Sequence, residues 1–294
     1  MHILLLVFVL VFFYLLLARH SELEKAAKDS LVFVGSALIP ALFPFAVLSR
    51  FVLSAGLIPC QNKLSQKTAR LLHIAPGLLP AYLLGLFCGF PIGAYAASSL
   101  YEAGLCQEKD AHRSACLSNN ASAAFLFGTA ALFPHPHAAI ILLASQTAAT
   151  LFISFFSTNH TERSLRLPKE TPSYLSLAAD AVSKAGAAML SLSAFVTFFS
   201  VFSKALLLAG CPTWITLFLE PTSAVRYAAS LANTLGAPLS LSLASFSLSW
   251  SGLSVIMQTQ ALFGGKLPLK KHILTRFAIA LLAFGTALFS ASLF

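Results

Sequence analysis

From Ser114 to Thr161 the chain runs without one Asp, Glu, Lys or Arg. Leu71–Tyr101 is a second charge-free stretch, and Tyr227–Gly265 a third. A helix needs about 20 apolar residues to cross a bilayer, so each run is long enough to do so. Only 10% of the 294 residues are charged, against roughly 25% in an ordinary soluble domain. The mean hydropathy of +0.82 agrees. The expected fold class is therefore all-α, a polytopic membrane protein whose standing partner is the lipid bilayer. A soluble enzyme, a disordered chain and a disulfide-rich secreted domain are excluded.

The net charge of +9 has a membrane reading too. The basic residues sit between apolar runs, where they mark cytoplasmic loops and anionic headgroups, so no nucleic-acid partner is expected. Cys60, Cys88, Cys106, Cys116 and Cys211 include no C-x-x-C pair and read as reduced, packed thiols. His135 and His137 flank Pro136, a weak metal signal. No metal and no cofactor are expected, although a coupling ion is compatible with the pattern. G-x-S-x-G, H-E-x-x-H and a phosphate-cradling loop are all missing from the sequence, and its acids are scattered, so no enzyme is expected.

The spans follow from the charge-free intervals. Met1–Ala18 reads as a retained transmembrane helix, with Arg19–Asp29 a mixed-charge loop after it. Ser30–Gly56 contains Pro40 and Pro44, each of which removes a backbone donor. That span is expected to be kinked or broken, or to follow a re-entrant path. Gln61–His73 carries Lys63, Lys67 and Arg70 with no acid, which suits a cytoplasmic interfacial segment. Leu71–Tyr101 is interrupted by Gly89-Phe90-Pro91-Ile92-Gly93, a pattern for a re-entrant hairpin or discontinuous helix. Glu102–Arg113 reads as a charged loop. Ser114–Thr161 holds two helices turning near Phe133–His137. In the second half, a weakly amphipathic stretch with Asp180 and Lys184 precedes a span at Ala185–Gly210. Lys266, Lys270, Lys271 and Arg276 form a second basic cluster before a last span near His272–Phe294.

An internal repeat is legible. Ser49-Arg50 followed by Gly56 aligns with Ser203-Lys204 followed by Gly210 at one constant offset. Each half continues with two backbone-breaking clusters, and the spacing from Pro91 to Asn120 equals that from Pro221 to Trp250. The expected organisation is an N-terminal helix and loop (1–29), a first repeat (30–161), a linker (162–174) and a second repeat (175–294). Paired broken elements are the plan of a secondary transporter, because unwound backbone frees helix N-termini for anions and carbonyls for cations.

The polar residues at these breaks are the candidate substrate-binding set. In the first half they are Gly89, Pro91, Gly93, Asn119, Asn120 and Ser122. In the second half they are Glu220, Thr222, Ser223, Ser251, Gly252, Ser254 and Gln258. Amides and carboxylates in hydrocarbon are costly unless paired, so they are candidates for function by default. Helix packing is the plainer account of the same residues. Arg50 and Lys204 can meet an anion or snorkel to headgroups, and snorkelling is favoured.

In order along the chain, Ile39-Pro40-Ala41-Leu42-Phe43-Pro44-Phe45, Gly89-Phe90-Pro91-Ile92-Gly93-Ala94, Ser118-Asn119-Asn120-Ala121-Ser122, Leu219-Glu220-Pro221-Thr222 and Ser251-Gly252-Leu253-Ser254-Val255 with Gln258 carry a resemblance. The sequence resembles the nucleoside-recognition, or Gate-domain, membrane proteins over roughly residues 30–294, and within them the YlbJ/SpoVV type of sporulation integral membrane protein. The resemblance implies two Gate-type repeats with re-entrant or broken helices, kinship with concentrative nucleoside transporters, and a homo-oligomer. It also implies a role in sporulation, with dipicolinic acid as a small anionic cargo crossing the outer forespore membrane. Ala123-Ala124 stands where the family pattern has Gly-Pro, Trp250 where Phe is usual, and Ser251-Gly252 where Gly-Gly is found. Transport of a nucleoside or another small solute, and a non-transporting scaffold in spore envelope assembly, stay open beside anion transport.

Overall fold

The computed structural model describes residues 2–55, 63–156 and 173–293. Among these residues every regular element is helical and there is no strand. The chain opens with α1 (His2–Ala18), an apolar helix of 17 residues, whose Phe8 and Phe12 pack on Phe202.

Helices α2 (His20–Phe33) and α3 (Ile39–Ser54), joined by a π-helical turn at Val34–Leu38, form one continuous helix of 35 residues. Two expectations are corrected here. Arg19–Asp29 is not a loop: from His20 onward it is helical, and it carries Arg19–Glu22 and Lys28–Glu24 pairs at helical spacing, 3.0 and 2.6 Å apart. The proline-containing span is neither broken nor re-entrant. A proline ring in an α-helix collides with the carbonyl four residues back. Just before Pro40 the helix widens, with the N–H of Ile39 donating to the carbonyl of Val34, five residues back. The π turn relieves the collision without ending the helix.

Helix α4 (Lys63–Leu71) carries the basic interfacial stretch and meets the following segment, Pro76–Cys88, at 95°. Then come α5 (Leu79–Cys88), α6 (Ile92–Glu102), α7 (Glu108–Ser118), α8 (Ala123–Ala130) and α9 (Ala138–Phe156). The Glu102–Arg113 loop is shorter than expected, since Glu102 ends α6 and Glu108 already begins α7. The turn at Phe133–His137 lies between α8 and α9 as anticipated. Most of the linker at 162–174 falls outside the described residues, as do Gly56 and Cys60.

The second half begins with α10 (Tyr174–Leu208), again 35 residues, in which the Asp180 stretch and the span are one helix. Short α11 (Thr216–Leu219) leads to α12 (Pro221–Ser230) and α13 (Ala232–Leu235). They are followed by α14 (Ala237–Trp250), α15 (Gly252–Leu262) and α16 (Leu269–Leu293). The two long helices, His20–Ser54 and Tyr174–Leu208, have equal lengths, and their starts and ends are related by the same offset as Ser49 and Ser203.

Five helices among the described residues are long and apolar enough to span a membrane, or six counting the bent pair. The molecule is a multi-pass membrane protein. Burial orders the spans. In the apolar window of Ala237–Leu262, 83% of residues are buried, against 11% for His20–Ser54 and 22% for α10. The span with the weakest hydropathy is thus the central one, and the most apolar span, His20–Ser54, leaves most of its surface for lipid. Helix α16 packs along α14 and α9, while α10 packs along α2 and α3.

Arg50 joins α3 to both halves. Its Nε donates to Asp180 on α10 at 2.9 Å, and its Nη1 donates to Ser99 on α6 at 2.9 Å. The cation expected to snorkel is instead held inside the protein, its side chain 13% exposed.

Candidate functional site

The first break is built on glycines at four-residue spacing. Gly85, Gly89 and Gly93 let α5 and α6 press against the end of α7. A Cβ on Gly85 would lie 2.5 Å from that of Ser118, and one on Gly93 2.5 Å from the Ser118 hydroxyl. At Gly89, φ is +75° and a Cβ would meet the Ser122 nitrogen at 2.4 Å, so both conformation and space require glycine. The N–H of Phe90 donates to the carbonyl of Asn120 at 2.7 Å, and Pro91 opens α6. Gly89 and Gly93 therefore fit the first break to the second.

The second break, Asn119–Ser122, is held from three sides. Gln146 on α9 grips the backbone of Ala121, donating to its carbonyl at 2.8 Å and accepting from its N–H at 3.1 Å. The Asn120 side chain accepts from Thr150 at 3.2 Å and donates to the Leu117 carbonyl at 3.2 Å. Asn119 donates to Thr259 on α15 at 3.0 Å. These pairings satisfy backbone that has left the helical ladder.

Arg276 joins the second break to the last one. The sequence reading placed it in a basic cluster with Lys266, Lys270 and Lys271, but it is 0% exposed. Its Nη1 donates to the Cys116 carbonyl and the Asn120 Oδ1, each at 3.2 Å. Its Nη2 donates to the Ser249 carbonyl and, at 2.6 Å, to the Ser251 hydroxyl. Ser251 has φ +71°, a costly conformation for a residue with a Cβ. Its hydroxyl also donates to the Asn119 carbonyl at 2.8 Å, which fixes it there. The planar guanidinium suits this task, because its donors fan out toward acceptors on two helices.

Glu220 forms the third break. It caps α12 with its own carboxylate, accepting from the Thr222 N–H at 2.9 Å, the Thr222 hydroxyl at 2.6 Å and the Ser223 N–H at 2.8 Å. The helix N-terminus that seemed free for an anion is occupied by this side chain. Gly252, at φ +72°, approaches the third break closely, and a Cβ there would lie 2.8 Å from the Leu219 carbonyl oxygen.

Beside the breaks lies a cavity of about 470 Å³, within the roughly 300–1,000 Å³ of small-molecule sites. Its polar face includes Ser122, Glu220, Thr222, Ser254 and Gln258. Its apolar wall comes from the π turn, α3, α8 and α10, with Phe90 and Phe125 among the rings. Two polar atoms here have no partner: the Ser254 hydroxyl and Gln258 Oε1, in residues 1% and 4% exposed. A buried polar atom without a partner costs free energy, and a ligand can supply the missing bond.

All the sequence-predicted residues except Pro91 and Ser223 thus fall into two groups. Ser122, Glu220, Thr222, Ser254 and Gln258 line the cavity. Asn119, Asn120 and Ser251 tie the breaks together, and Gly89, Gly93 and Gly252 allow them to touch. Ser223 gives its N–H to the Glu220 cap. Sequence reasoning missed Arg276, Gln146, Thr150 and Thr259, and also Arg226, an exposed cation that lines the cavity. Arg226 stands four residues after Thr222 and so shares its helix face, a usable signal. Arg276 follows Lys271 by five residues, deep enough in the last span to be suspect. Among the described residues, no three His, Cys, Asp or Glu side chains converge as a metal-binding group.

Among curated proteins, the chain is similar to the sporulation integral membrane protein YlbJ of Bacillus subtilis (strain 168), with 23% identity over 209 residues. The match covers 62% of this chain and 51% of that protein, so the chain spans about half the length of the curated relative it matches. No protein-family model matches the chain. No solved structure matches it either.

Proposed function

We propose that this protein is a secondary transporter of a small anion, with the 470 Å³ cavity as the cargo site. The observation that carries this reading is the Ser254 hydroxyl, a buried donor without a partner in a residue that lines a cavity bounded by broken helices, with the Gln258 amide one turn further along the same helix. Unpartnered hydroxyls occur elsewhere in the bundle, at Ser49 and Ser247, so it is the place of Ser254 beside a cavity that favours a binding site over a scaffold. Arg226 supplies the positive charge at the cavity, and the rings of Phe90 and Phe125 suit a flat cargo. Glu220 holds the α12 N-terminus in place, and Arg276 keeps the second and fourth breaks in register.

The halves are read as two Gate-type repeats, on the matched offset of the long helices and the recurring order of broken elements. Alternating access then moves the apolar wall of α2, α3 and α10 against the broken elements. The similarity to a sporulation membrane protein favours a cargo of spore formation, and the cargo proposed is dipicolinate, a planar acid, with Arg226 as its cationic contact and the Glu220 carboxylate turned to the α12 N-terminus. In sporulating cells the outer forespore membrane is the proposed place of action.

The test is uptake of labelled dipicolinate by proteoliposomes containing wild type, Ser254→Ala/Gln258→Ala, or no protein. Spore dipicolinate is measured in a deletion strain carrying the same two forms. Uptake and spore loading by wild type alone support the reading. No uptake by wild type, with normal dipicolinate in deletion spores, removes this cargo.

A further inference from the structure

A second cavity, of about 380 Å³, shares no lining residue with the cargo cavity. It is walled by α7, the N-terminal turns of α16 and the loop between α15 and α16. Four of its side chains are cationic, Lys109, Arg113, Lys266 and Lys271, against one carboxylate, Glu108. Arg113 is partly committed, since its Nη2 donates to the carbonyls of His73 and Ser154, and Asp110 lies within electrostatic reach of it. The three lysines are exposed at the rim.

The interior supplies an independent sign of a ligand. His272 lines the cavity, is 3% exposed, and has neither ring nitrogen partnered. Both nitrogens are shielded from the cavity as it stands, and a turn of the ring would let the one N–H of a neutral imidazole donate to an oxyanion that the lysines attract. Nearby, the His112 ring meets Phe263 edge-on, with its Nε2 3.9 Å from Glu108. His272 is the most buried polar side chain of a wall it shares with His112, Arg113 and Thr275.

We propose that this cavity binds a phosphate-type oxyanion, through Lys109, Lys266 and Lys271 at the rim and His272 within. The chemistry is shared by free inorganic phosphate and by the headgroup of an anionic phospholipid. The anion would sit one helical turn from Arg276, because His272 and Arg276 are four residues apart on α16. The Cys116 carbonyl, which accepts from Arg276, belongs to a residue of the same cavity wall. The site is separate from the cargo cavity and is read by binding, so it stands or falls independently of transport.

The experiment uses the full chain purified in detergent. Inorganic phosphate is titrated at constant ionic strength against chloride, with melting temperature as the readout. Wild type should show a saturable rise. In Lys109→Gln/Lys271→Gln the half-saturating concentration should increase roughly tenfold or more, the effect of losing charge-assisted hydrogen bonds. His272→Leu, which keeps the rim charges, should weaken the response as well. In a second arm, native mass spectrometry counts phosphatidylglycerol retained from mixed phosphatidylglycerol–phosphatidylcholine nanodiscs. A phosphate response assigns a free-anion site. Phosphatidylglycerol retained by wild type and lost in the lysine variant, with no phosphate response, assigns a headgroup site. Lysine and histidine variants matching wild type in both arms, or a wild type silent in both, overturn the proposal. Should a variant not fold, Lys266→Gln at the exposed rim replaces it.

Discussion

The guanidinium of Arg276 donates to the side-chain oxygen of Asn120 across 3.2 Å, although 156 residues separate the two in sequence. The bond joins the last helix of the second half to the second break of the first half. Removing the arginine leaves the Cys116 and Ser249 carbonyls without this donor, in backbone that has no helical alternative. Arg276→Met should destabilise the protein by roughly 2–4 kcal/mol, seen as a lower melting temperature and loss of the monodisperse peak in detergent. Arg276→Lys should recover little, since one ammonium cannot span acceptors on two helices. A melting temperature unchanged in Arg276→Met would mean the cluster is not structural.

Ser254 and Gln258 should behave in the opposite way. Their unpartnered atoms add no hydrogen bond to the fold, so Ser254→Ala and the volume-conserving Gln258→Met should leave the stability within about 1.5 kcal/mol of wild type. Transport should fall severely in both. Parallel loss of stability and transport would reassign them to packing.

Glu220 is read as a cap whose role is positional. Glu220→Ala should cost about 0.5–2 kcal/mol and reduce transport, because α12 loses its anchor beside the cavity. Glu220→Gln keeps one acceptor oxygen and should retain part of both. Equal loss in the two variants would point to the charge itself, as in binding a cation or moving a proton.

The glycine contacts predict a sharp contrast. Gly85→Ala and Gly93→Ala drive a Cβ into Ser118, and overpacking of this kind typically costs about 1–3 kcal/mol. Gly186 on α10 has nothing within 4 Å of a built Cβ. Gly186→Ala should be neutral or stabilise by up to about 1 kcal/mol through helix propensity. Thermal melts of the three variants in one detergent decide this.

Orientation is also testable. The donation from Arg113 to the His73 carbonyl puts the end of α4 beside the α7 wall of the cavity that Lys266 and Lys271 line. The basic stretch of α4 and the Lys266–Lys271 segment thus share one end of the bundle, and the continuous His20–Ser54 helix puts Ser21 at the other. The positive-inside rule predicts that the shared end faces the cytoplasm. In a cysteine-free background, Lys67→Cys and Lys266→Cys should be shielded from an impermeant maleimide added outside cells, and Ser21→Cys labelled. Labelling of Lys67→Cys and Lys266→Cys from opposite sides would contradict the fold.

Composition and charge spacing were enough to read the class of molecule and the positions of its interruptions. Charge spacing along a chain decides what a bilayer will accept, and glycine, proline and adjacent amides mark where a helix cannot run on. The breaks at Gly89, Asn119–Asn120, Glu220 and Ser251 follow from such local facts. Which partner each polar group takes is visible only once the helices are packed. Asn120 and Ser254 look equally suited to a ligand in sequence, yet the first is bound by Arg276 and Thr150 and the second belongs to the wall of a cavity with its hydroxyl unpartnered. Arg276 reads as one more cation in a basic cluster until α16 packs along α14 and takes it out of water. Pro40 reads as a break because the rule for α-helices forbids it, and only the π turn shows how the helix continues. Helix interruptions are set by each residue's own backbone chemistry, whereas hydrogen-bond partners are set by which distant helices meet.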